Sequence, residues 1–394
     1  MKKLLILFLI FFSLSLTVHA EDTTQSESVN SKSTNIRLAE NAKSAIMLEA
    51  STGKIIFEKN ANEKLPMASM TKMMTLLIIM ENIENGNIKW SDSVITSEHA
   101  ASMGGSQIFL EVGEEMTVEE LVKGICIASG NDAAVAMAEK IGGTEEEFVK
   151  LMNKKAKELQ LKNTNFTNAC GLDSDNHYSS AHDMAIIGKE LVKYDKILEY
   201  TGTYEDYLRK NTDKSFWLVN TNKLVRYYKG VDGLKTGYTE KAGFCITTTA
   251  KKDNMRLITV VMGEPSTKIR NAETTSMLDY GFNTYKIDTV ASSKKIIASK
   301  KVTNGIDKIA NIVPKTDINI LNTKLGTKRN VTYNLELSTI SAPIKKGDSI
   351  GKINVMENNK IIMTIDATTT KDINKANIFI VYYRNLLDII SGNI

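Results

Sequence analysis

The run from Met73 to Met80 is apolar at every position except Thr75, and it constrains the fold more than any other segment of this 394-residue chain. Pro66 precedes the run, and residues 68–82 are predicted to form a single helix. A helix that is apolar on nearly every side is surrounded by other elements of the fold. We therefore predict a buried central helix, in which the methionines fill the core and do not form a cofactor site.

Strand patterns lie on both sides of a helical middle region. Alternation and turn residues predict strands at residues 44–49, 54–58, 243–251 and 255–263, the last two joined as a hairpin. Helical spacing predicts helices at residues 117–141, 144–159, 181–194 and 271–280. A chain with this order is expected to fold as an α/β (α+β) domain, in which an antiparallel sheet takes strands from both ends and a helical subdomain packs on it. We place this domain at residues 39–285.

The composition changes after about Tyr285. Residues 286–376 contain short alternating runs of Ile, Val, Thr, Lys and Asn, and neither histidine nor cysteine. This pattern predicts a small C-terminal all-β sandwich domain with a structural role. The last stretch, residues 377–394, carries apolar and aromatic residues at helical spacing from Ile378 to Ile390. Two interpretations stay open there: an amphipathic helix at a membrane surface, or a strand that runs into a short packed helix.

The N-terminus has the three parts of a secretory signal peptide, which we assign to residues 1–20. Lys2-Lys3 is the charged start, Leu4 to Leu16 is almost wholly apolar, and Val18-His19-Ala20 fits a small-residue cleavage site. An uncleaved anchor is the alternative, but the apolar run is short for a bilayer span. Residues 21–38 are rich in Ser, Thr, Asn and Glu and predict a disordered spacer. We therefore expect an exported protein that acts outside the cytoplasm.

Charge and cysteine content exclude some partners and cofactors. The formal net charge of +4 falls to +2 without the signal peptide, which is too small to indicate nucleic acid as the main partner. The three cysteines, Cys126, Cys170 and Cys245, are far apart in the sequence and lack metal-ligand spacing. We interpret them as buried thiols, with one disulfide among them left open, and we predict neither a metal nor a cofactor.

Three short fragments supply the groups for acyl transfer without histidine. The first is Ser69-Met70-Thr71-Lys72, at the start of the predicted central helix. Positions i and i+3 share a helix face, so the Lys72 amine can reach the Ser69 hydroxyl and act as its base if burial and nearby cations lower the pKa of the amine. The helix N-terminus also brings a backbone N–H beside Ser69. Because Ser-x-x-Lys recurs at Ser51, Ser292 and Ser349, the buried helix behind Ser69 is what singles it out.

The second fragment is Ser129-Gly130-Asn131, which follows an apolar helical run and precedes another helix start. Ser129 and Asn131 are therefore predicted to lie at a buried junction between two helices. Ser174-Asp175-Asn176 matches a related pattern, but it lies in a polar loop and is interpreted as a surface turn.

The third fragment, Lys235-Thr236-Gly237, precedes the predicted hairpin and occurs once in the chain. Lys235 and Thr236 could hold an anionic substrate terminus, and Gly237 would let a substrate backbone approach closely. Arg270 could add a bidentate contact to a carboxylate, and a surface salt bridge is the alternative for it.

These residues together resemble the serine-type D-alanyl-D-alanine carboxypeptidases, the low-molecular-mass penicillin-binding proteins. The resemblance covers roughly residues 39–285, and beyond the three fragments it includes the stretch from Gly171-Leu172 to Asp183-Met184 and the segment from Met255 to Gly263. It implies a β-lactamase/transpeptidase-like catalytic domain. The implied substrates are peptidoglycan stem peptides that end in D-Ala-D-Ala, and the implied covalent inhibitors are β-lactams. It also implies a location in the cell wall or at the outer face of the cytoplasmic membrane, and a role in cell wall maturation and cell shape.

The same resemblance implies a role for each residue of the fragments. Ser69 is expected to be the nucleophile and Lys72 the general base, while Ser129 and Asn131 position the substrate and pass protons. The terminal carboxylate of the substrate would be recognised by Lys235, Thr236 and Arg270. The backbone N–H groups of Ser69 and Tyr238 would form the oxyanion hole. Tyr238 stands where some family members have histidine, so reaction rate and β-lactam sensitivity could differ.

Three alternatives are weaker. A class A β-lactamase would need a glutamate for deacylation in a Glu-x-x-x-Asn motif, and this motif is absent between Asn131 and Lys235. A zinc peptidase would need three ligands, and only His177 and His182-Asp183 lie close together in the sequence. A non-catalytic wall-binding protein would not need all three fragments intact.

Overall fold

The central sheet is assembled from strands at the two ends of the predicted catalytic region. A computed structural model describes residues 37–327 and 329–391. The predicted signal peptide and nearly all of the predicted spacer lie outside the described residues.

The first half of the described chain alternates short strands with helices. In chain order its elements are β1 Ser44–Glu49, β2 Ile55–Lys59, α1 Lys72–Glu84, β3 Ser93–Ile95, α2 Glu98–Ala101, β4 Glu115–Thr117, α3 Val118–Lys123, α4 Asn131–Gly142, α5 Glu145–Glu158, α6 Ala181–Leu191 and α7 Asp195–Thr201. A 3₁₀ turn at Ala68–Thr71 leads into α1, and a π turn at Gly124–Ala128 follows α3.

The second half is mostly strands. Its elements are β5 Glu205–Leu208, β6 Phe216–Val219, α8 Leu224–Tyr227, β7 Val231–Thr239, β8 Gly243–Lys252, β9 Met255–Glu264, α9 Thr267–Thr284, β10 Tyr285–Ala291, β11 Ala298–Lys301, β12 Ile309–Pro314, β13 Ile318–Thr323, β14 Val331–Leu337, β15 Gly351–Glu357, β16 Lys360–Thr369 and α10 Ile378–Ile390.

The five strands of the central sheet run in the order β2-β1-β9-β8-β7, and every neighbouring pair is antiparallel. Successive side chains of β9 point to opposite faces of the sheet. Ile258 and Val260 belong to the core that contains α1 and α6, whereas Leu257 and Val261 belong to the core that contains α9. The sheet is therefore covered by helices on both faces, and β7 is left as an edge strand.

The predicted central helix is present and buried. Every residue from Lys72 to Met80 in α1 is buried, including the Lys72 side chain. The apolar run thus lies in the protein core, as its composition predicts. The first residue of this buried helix is a lysine.

The helix predicted at residues 117–141 is interrupted. It is divided into α3, the π turn and α4, and Ser129 between them has a left-handed φ of 65°. The helix predicted at residues 271–280 extends to both sides as α9, because the Ser266 hydroxyl accepts the Ile269 N–H and caps its start. Two small antiparallel strand pairs, β3–β4 and β5–β6, had no clear sequence pattern.

The C-terminal region is all-β as predicted. The pair β10–β13 lies beside a sheet in the order β11-β12-β16-β15-β14. Ile287 and Leu321 of this pair pack in one cluster with Leu278 and Phe282 of α9, so the two regions share a core at their junction. Residues 378–390 form one continuous helix capped by Asn377, while its location at a membrane surface stays a prediction. Within residues 37–327 and 329–391, no helix is both long and apolar enough to cross a bilayer.

Candidate active site

The Ser69–Lys72 pair lies where the 3₁₀ turn passes into α1. Lys72 donates its three amine hydrogens to the Ser69 Oγ at 2.9 Å, the Asn131 Oδ1 at 2.5 Å and the Cys170 carbonyl at 2.6 Å. The turn starts at Ala68, whose φ of 48° is a left-handed conformation that alanine rarely adopts. The fold therefore holds the amine against the hydroxyl with two further contacts and stores backbone strain beside the serine.

Burial controls the protonation of Lys72. Loss of solvation lowers the pKa of this amine to about 8, and this effect outweighs the opposing influence of Cys170 and Asp132. A substantial share of molecules then carries a neutral amine at slightly alkaline pH. The sequence expectation that burial would prepare Lys72 as a base agrees with this direction of shift.

The fragment Ser129-Gly130-Asn131 lies at the break between α3 and α4, where it meets the Ser69–Lys72 pair. Asn131 opens α4, accepts the Lys72 amine on Oδ1 and donates from Nδ2 to the Gly104 carbonyl at 2.7 Å. Ser129 is buried at the junction, in the left-handed conformation that ends the π turn. The predicted helix junction is therefore present, with both polar residues in it.

Asp132 is a site residue that the sequence reasoning missed. Its buried carboxylate accepts backbone N–H groups of Ile108 at 3.0 Å, Leu110 at 3.1 Å and Ala133 at 2.8 Å. It thereby fixes the loop of residues 104–110, which also contacts Asn131. The sequence signal was an acidic residue one position after Asn131, inside an otherwise apolar helix start.

The third fragment lies on the edge strand β7. The Lys235 side chain is fully buried and donates to the Thr236 carbonyl at 3.0 Å. Burial, and then the charge of Lys72, lower the pKa of Lys235 well below its usual value. The Thr236 hydroxyl contacts the Thr221 hydroxyl at 2.8 Å. Lys72 is thus enclosed close enough to Lys235 for its charge to affect the protonation of Lys235.

Gly237 lies directly against the serine turn, and the expected approach of a substrate backbone to it stays a prediction. A Cβ at this position would lie 2.7 Å from the Met67 carbonyl oxygen and 3.1 Å from the Ser69 backbone nitrogen. The backbone that approaches Gly237 closely is therefore the protein's own serine turn. Its neighbour Tyr238 is 55% exposed and stacks on Phe244, with ring centroids 4.3 Å apart.

Arg270 is buried on α9. Its guanidinium donates to the Cys245 carbonyl at 3.4 Å and to the Asn271 Oδ1 at 2.9 Å. Burial lowers the pKa of Arg270 to about 10. Among the described residues none of these hydrogen-bond acceptors is a carboxylate, so the surface salt bridge considered as the alternative is not formed there.

A second missed feature is the loop of residues 168–172. The Asn168 Oδ1 accepts the Gly171 N–H at 2.6 Å, and Gly171 has a φ of +92°. This conformation lets the Cys170 carbonyl reach Lys72 and places Gly171 directly against the backbone of Ala68. The Gly171-Leu172 dipeptide was the sequence signal for it.

His177 takes a structural position beside the serine turn. His177 is buried, with Nε2 at 2.8 Å from the Thr71 hydroxyl and Nδ1 accepting the Thr167 N–H at 3.0 Å. Burial lowers the pKa of His177 to about 4, so the ring is neutral at physiological pH. Residues 174–176 are exposed, as predicted for a surface turn. In the part of the chain that is described, no three His, Cys, Asp or Glu side chains cluster as a metal site would require.

The three cysteines are buried thiols, as predicted, and no disulfide joins them. Burial raises the pKa of Cys126 to about 12 and that of Cys245 to about 11. Protonated and enclosed, these thiols are poor nucleophiles.

Comparison with known proteins agrees with this geometry. The D-alanyl-D-alanine carboxypeptidase family model matches residues 28–266, and the model of the penicillin-binding protein 5 C-terminal domain matches residues 285–375. D-alanyl-D-alanine carboxypeptidase DacF of Bacillus subtilis is 54% identical over 340 residues, which are 86% of this chain and 87% of that protein.

Solved structures give the same result. Penicillin binding protein 5 from Haemophilus influenzae is 32% identical with a TM-score of 0.68, over 86% of this chain and 98% of that one. Penicillin-binding protein D2 from Listeria monocytogenes, in its ampicillin-bound form, is 28% identical with a TM-score of 0.56, over 63% of this chain and 99% of that one. The chain belongs to the D-alanyl-D-alanine carboxypeptidase family.

Proposed function

We propose that Ser69 and Lys72 carry out the serine-type D-Ala-D-Ala carboxypeptidase reaction of this family, which acts in cell wall maturation. The observation that supports this assignment most directly is the enclosed Lys72 amine, 2.9 Å from the Ser69 hydroxyl and with a lowered pKa. The three other Ser-x-x-Lys sequences lack this environment, since the lysines at 54, 295 and 352 are not buried.

Acylation starts from the neutral form of Lys72. The amine takes the proton of the Ser69 hydroxyl while Oγ attacks the carbonyl carbon of the penultimate D-alanine, and the C–N bond to the terminal D-alanine breaks. The leaving amine needs a proton, which passes from Lys72 through Ser129. Asn131 accepts a second hydrogen bond from the Lys72 amine and keeps the amine aimed at Oγ.

Two further groups of residues recognise the substrate. The backbone N–H groups of Ser69 and Tyr238 bind the oxyanion. This placement is supported by the close approach of Gly237 to Ser69, because it brings the backbone of β7 beside the backbone of the serine turn. Lys235, Thr236 and Arg270 bind the terminal carboxylate. A buried arginine without a carboxylate partner in the described residues suits that role.

Hydrolysis completes the reaction in the same site. Lys72 removes a proton from a water molecule that attacks the Ser69 ester, and the serine is released with its proton restored. The class of chemistry is therefore acyl transfer through a serine ester, with the enclosed lysine acting first as base and then as proton carrier.

The decisive experiment combines covalent labelling with product release. Labelled penicillin should attach to the Ser69-containing peptide, and the purified protein should release D-alanine from a peptide that ends in D-Ala-D-Ala. Ser69→Ala should abolish both results. Ser292→Ala is the matched control, because it removes the serine of another Ser-x-x-Lys sequence, and it should leave both unchanged. Full labelling of Ser69→Ala would refute the assignment.

Binding of β-lactams is an expectation of the same assignment. The Listeria relative binds ampicillin in its solved structure, and we propose a covalent adduct on Ser69 here. Tyr238 lies beside the proposed oxyanion hole with its ring exposed. Comparing Tyr238→His with the wild type would show whether the ring affects the rate of acylation by penicillin.

We propose that the protein is exported, with cleavage after Ala20, and that it acts in the wall or at the outer face of the cytoplasmic membrane. Mass spectrometry of the secreted protein should give an N-terminus at Glu21. The proposed role in cell shape is tested by imaging cells with and without the Ser69→Ala variant. A protein that retains residues 1–20 would refute cleavage but leave the enzyme assignment untouched.

We also propose that α10 lies on a membrane surface. Its 13 residues give a length of about 20 Å, which is shorter than the roughly 30 Å core of a bilayer. Ile378, Phe379, Tyr382 and Ile390 are exposed on it, while Arg384 donates to the Gly305 carbonyl at 2.6 Å and ties the helix to the β-region. Residues 286–376 contain sixteen Lys and Arg against eight Asp and Glu, which favours an anionic surface.

Sedimentation with vesicles of phosphatidylglycerol and phosphatidylcholine tests this helix. Phe379→Asp together with Ile390→Asp should release the protein from the vesicles. Leu325→Asp is the control, because Leu325 is a fully exposed leucine elsewhere in the β-region. Equal binding of the two variants would refute the membrane role.

The proposed domain limits are 39–285 for the catalytic domain and 286–376 for the β-domain, flanked by the spacer and the tail at 377–394. Helix α9 runs into β10 without a linker, so limited proteolysis should cut within residues 21–38 before it cuts near residue 285.

A further inference from the structure

Glu264, the last residue of β9, is a buried carboxyl group without a hydrogen-bond donor. Its side chain is 1% exposed, and neither of its oxygens has a partner among the described residues. The Oε2 of Glu273 on α9 is buried and lacks a donor as well. Buried carboxyl oxygens are almost always hydrogen-bonded, so three such atoms in one place require an explanation.

The charged groups around Glu264 already have other partners. The Lys59 amine donates to the carbonyls of Ala39 and Glu40. The Arg270 guanidinium donates to Cys245 and Asn271. The remaining titratable neighbours are Glu273 itself, the Cys245 thiol on β8 and the Lys43 side chain, which contacts the neighbouring Gly263.

The two carboxyl groups differ in their surroundings. Glu273 accepts the backbone N–H of Asn41 at 2.9 Å and its Nδ2 at 2.6 Å on the single atom Oε1. These donors stabilise its ionised form. Glu264 has no such donors, so in a facing pair it is the group that keeps a proton.

We propose that Glu264 and Glu273 share one proton, with Glu264 as the neutral acid that donates to the Oε2 of Glu273, and that this keeps the positive charge of the nearby Arg270 available for the substrate carboxylate. This inference rests on the proposed role of Arg270 and makes Glu264 a positioning residue for substrate recognition. The shared proton supplies the missing donor for Glu273 and removes the buried negative charge from Glu264.

Electrostatics supports the same assignment. Burial, and then contact with Glu273, raise the pKa of Glu264 to about 8, while the contacts of Glu273 lower its own pKa. Above pH 8 Glu264 becomes an anion beside Arg270 and competes with the substrate carboxylate for its charge. A charge effect of this kind is expected to raise the KM by about fivefold between pH 7 and pH 9.5.

The pair is tested by carbon NMR of the full chain labelled at the glutamate carboxyl carbon. The wild type should show one carboxyl signal that titrates near pH 8, and Glu264→Gln should lack it. Glu199→Gln is the control, because Glu199 is a surface residue paired with Lys196, and it should keep the signal. This measurement does not depend on enzyme activity, so it decides the pair even if the proposed function fails.

The link to the substrate is tested by kinetics. For a D-Ala-D-Ala peptide the KM of the wild type should rise above pH 8, whereas that of Glu264→Gln should stay level. Titration of Lys72 affects both proteins equally and cancels in the comparison. A missing signal near pH 8 would overturn the shared proton. A KM that rises equally in both proteins would overturn the connection to Arg270.

Discussion

Substitution of Gly171 by alanine tests whether the loop of residues 168–172 positions the nucleophile. An added Cβ would lie 2.0 Å from the Ala68 carbonyl oxygen, 2.5 Å from its carbon and 2.9 Å from the Ser69 nitrogen. Real Cβ contacts are essentially never shorter than 3.0 Å. Both partners are backbone, so no side chain can rotate away, and the loop and the serine turn must separate by about 1 Å.

The expected magnitude has two parts. Placing alanine at a φ of +92° costs about 1–2 kcal/mol, and forcing the two backbones apart costs about 1–3 kcal/mol more. The free energy of unfolding should therefore fall by about 2–5 kcal/mol. A displacement of about 1 Å at a reacting group lowers rates by about 100-fold, so acylation of Ser69 should slow by that order.

Gly347→Ala is the matched control. Gly347 has a φ of +97°, yet a Cβ there would meet nothing within 4 Å. It should lose about 1–2 kcal/mol and acylate at the wild-type rate. Urea unfolding gives the stabilities, and the rate of labelled penicillin attachment gives the acylation. If Gly171→Ala is no less stable than Gly347→Ala and acylates normally, the loop does not position Ser69.

Three further predictions follow from the site. The rate of Ser69 acylation should rise with pH through about 8, because the proposed mechanism requires the neutral Lys72 amine, and a pH profile of penicillin labelling measures this. Asp132→Asn replaces the carboxylate that accepts three backbone N–H groups by a neutral amide. The free energy of unfolding, measured with urea, should therefore fall by about 1.5–3 kcal/mol. All three cysteines should resist a thiol reagent in the native protein and react with it after unfolding. Fewer than three reactive thiols in the unfolded, unreduced protein would indicate a disulfide.

Much of the fold could be predicted from the sequence because its signals were local. The apolar run of α1 and the hairpin β8–β9 follow from composition and turn residues alone. The junction at Ser129 was predicted from the apolar run before it and the helix start after it, whereas periodicity alone continues one helix over residues 117–141. The hairpin β5–β6 depends on pairing between short, partly exposed strands, which leave a weak pattern.

In the candidate site, too, local sequence signals could be read and contacts between distant parts of the chain could not. The fragments around Ser69, Ser129 and Lys235 were predicted from residue type and order, and their expected roles stay proposals. What the sequence did not indicate are backbone contacts made across long separations. The carbonyl of Cys170 that accepts Lys72 is 98 residues away from it, and a carbonyl carries no residue-type signal. Asp132 was missed for a related reason, because its partners are backbone N–H groups in a loop more than 20 residues earlier.

In the proposed mechanism, substrate recognition and serine activation are coupled through the protonation of the enclosed cations of the site. Burial is the main cause of the lowered pKa of Lys235, and the positive charges of Lys72 and Arg270 lower it further. Before a substrate binds, burial and these charges therefore disfavour the protonated form of Lys235. A substrate carboxylate placed beside Lys235 favours its protonated form, and that new charge in turn disfavours protonation of Lys72. Binding of an anionic terminus should thus draw a proton onto Lys235 and leave Lys72 neutral, which is the form that activates Ser69. An uncharged substrate analogue should bind without this proton uptake and acylate slowly even at saturation.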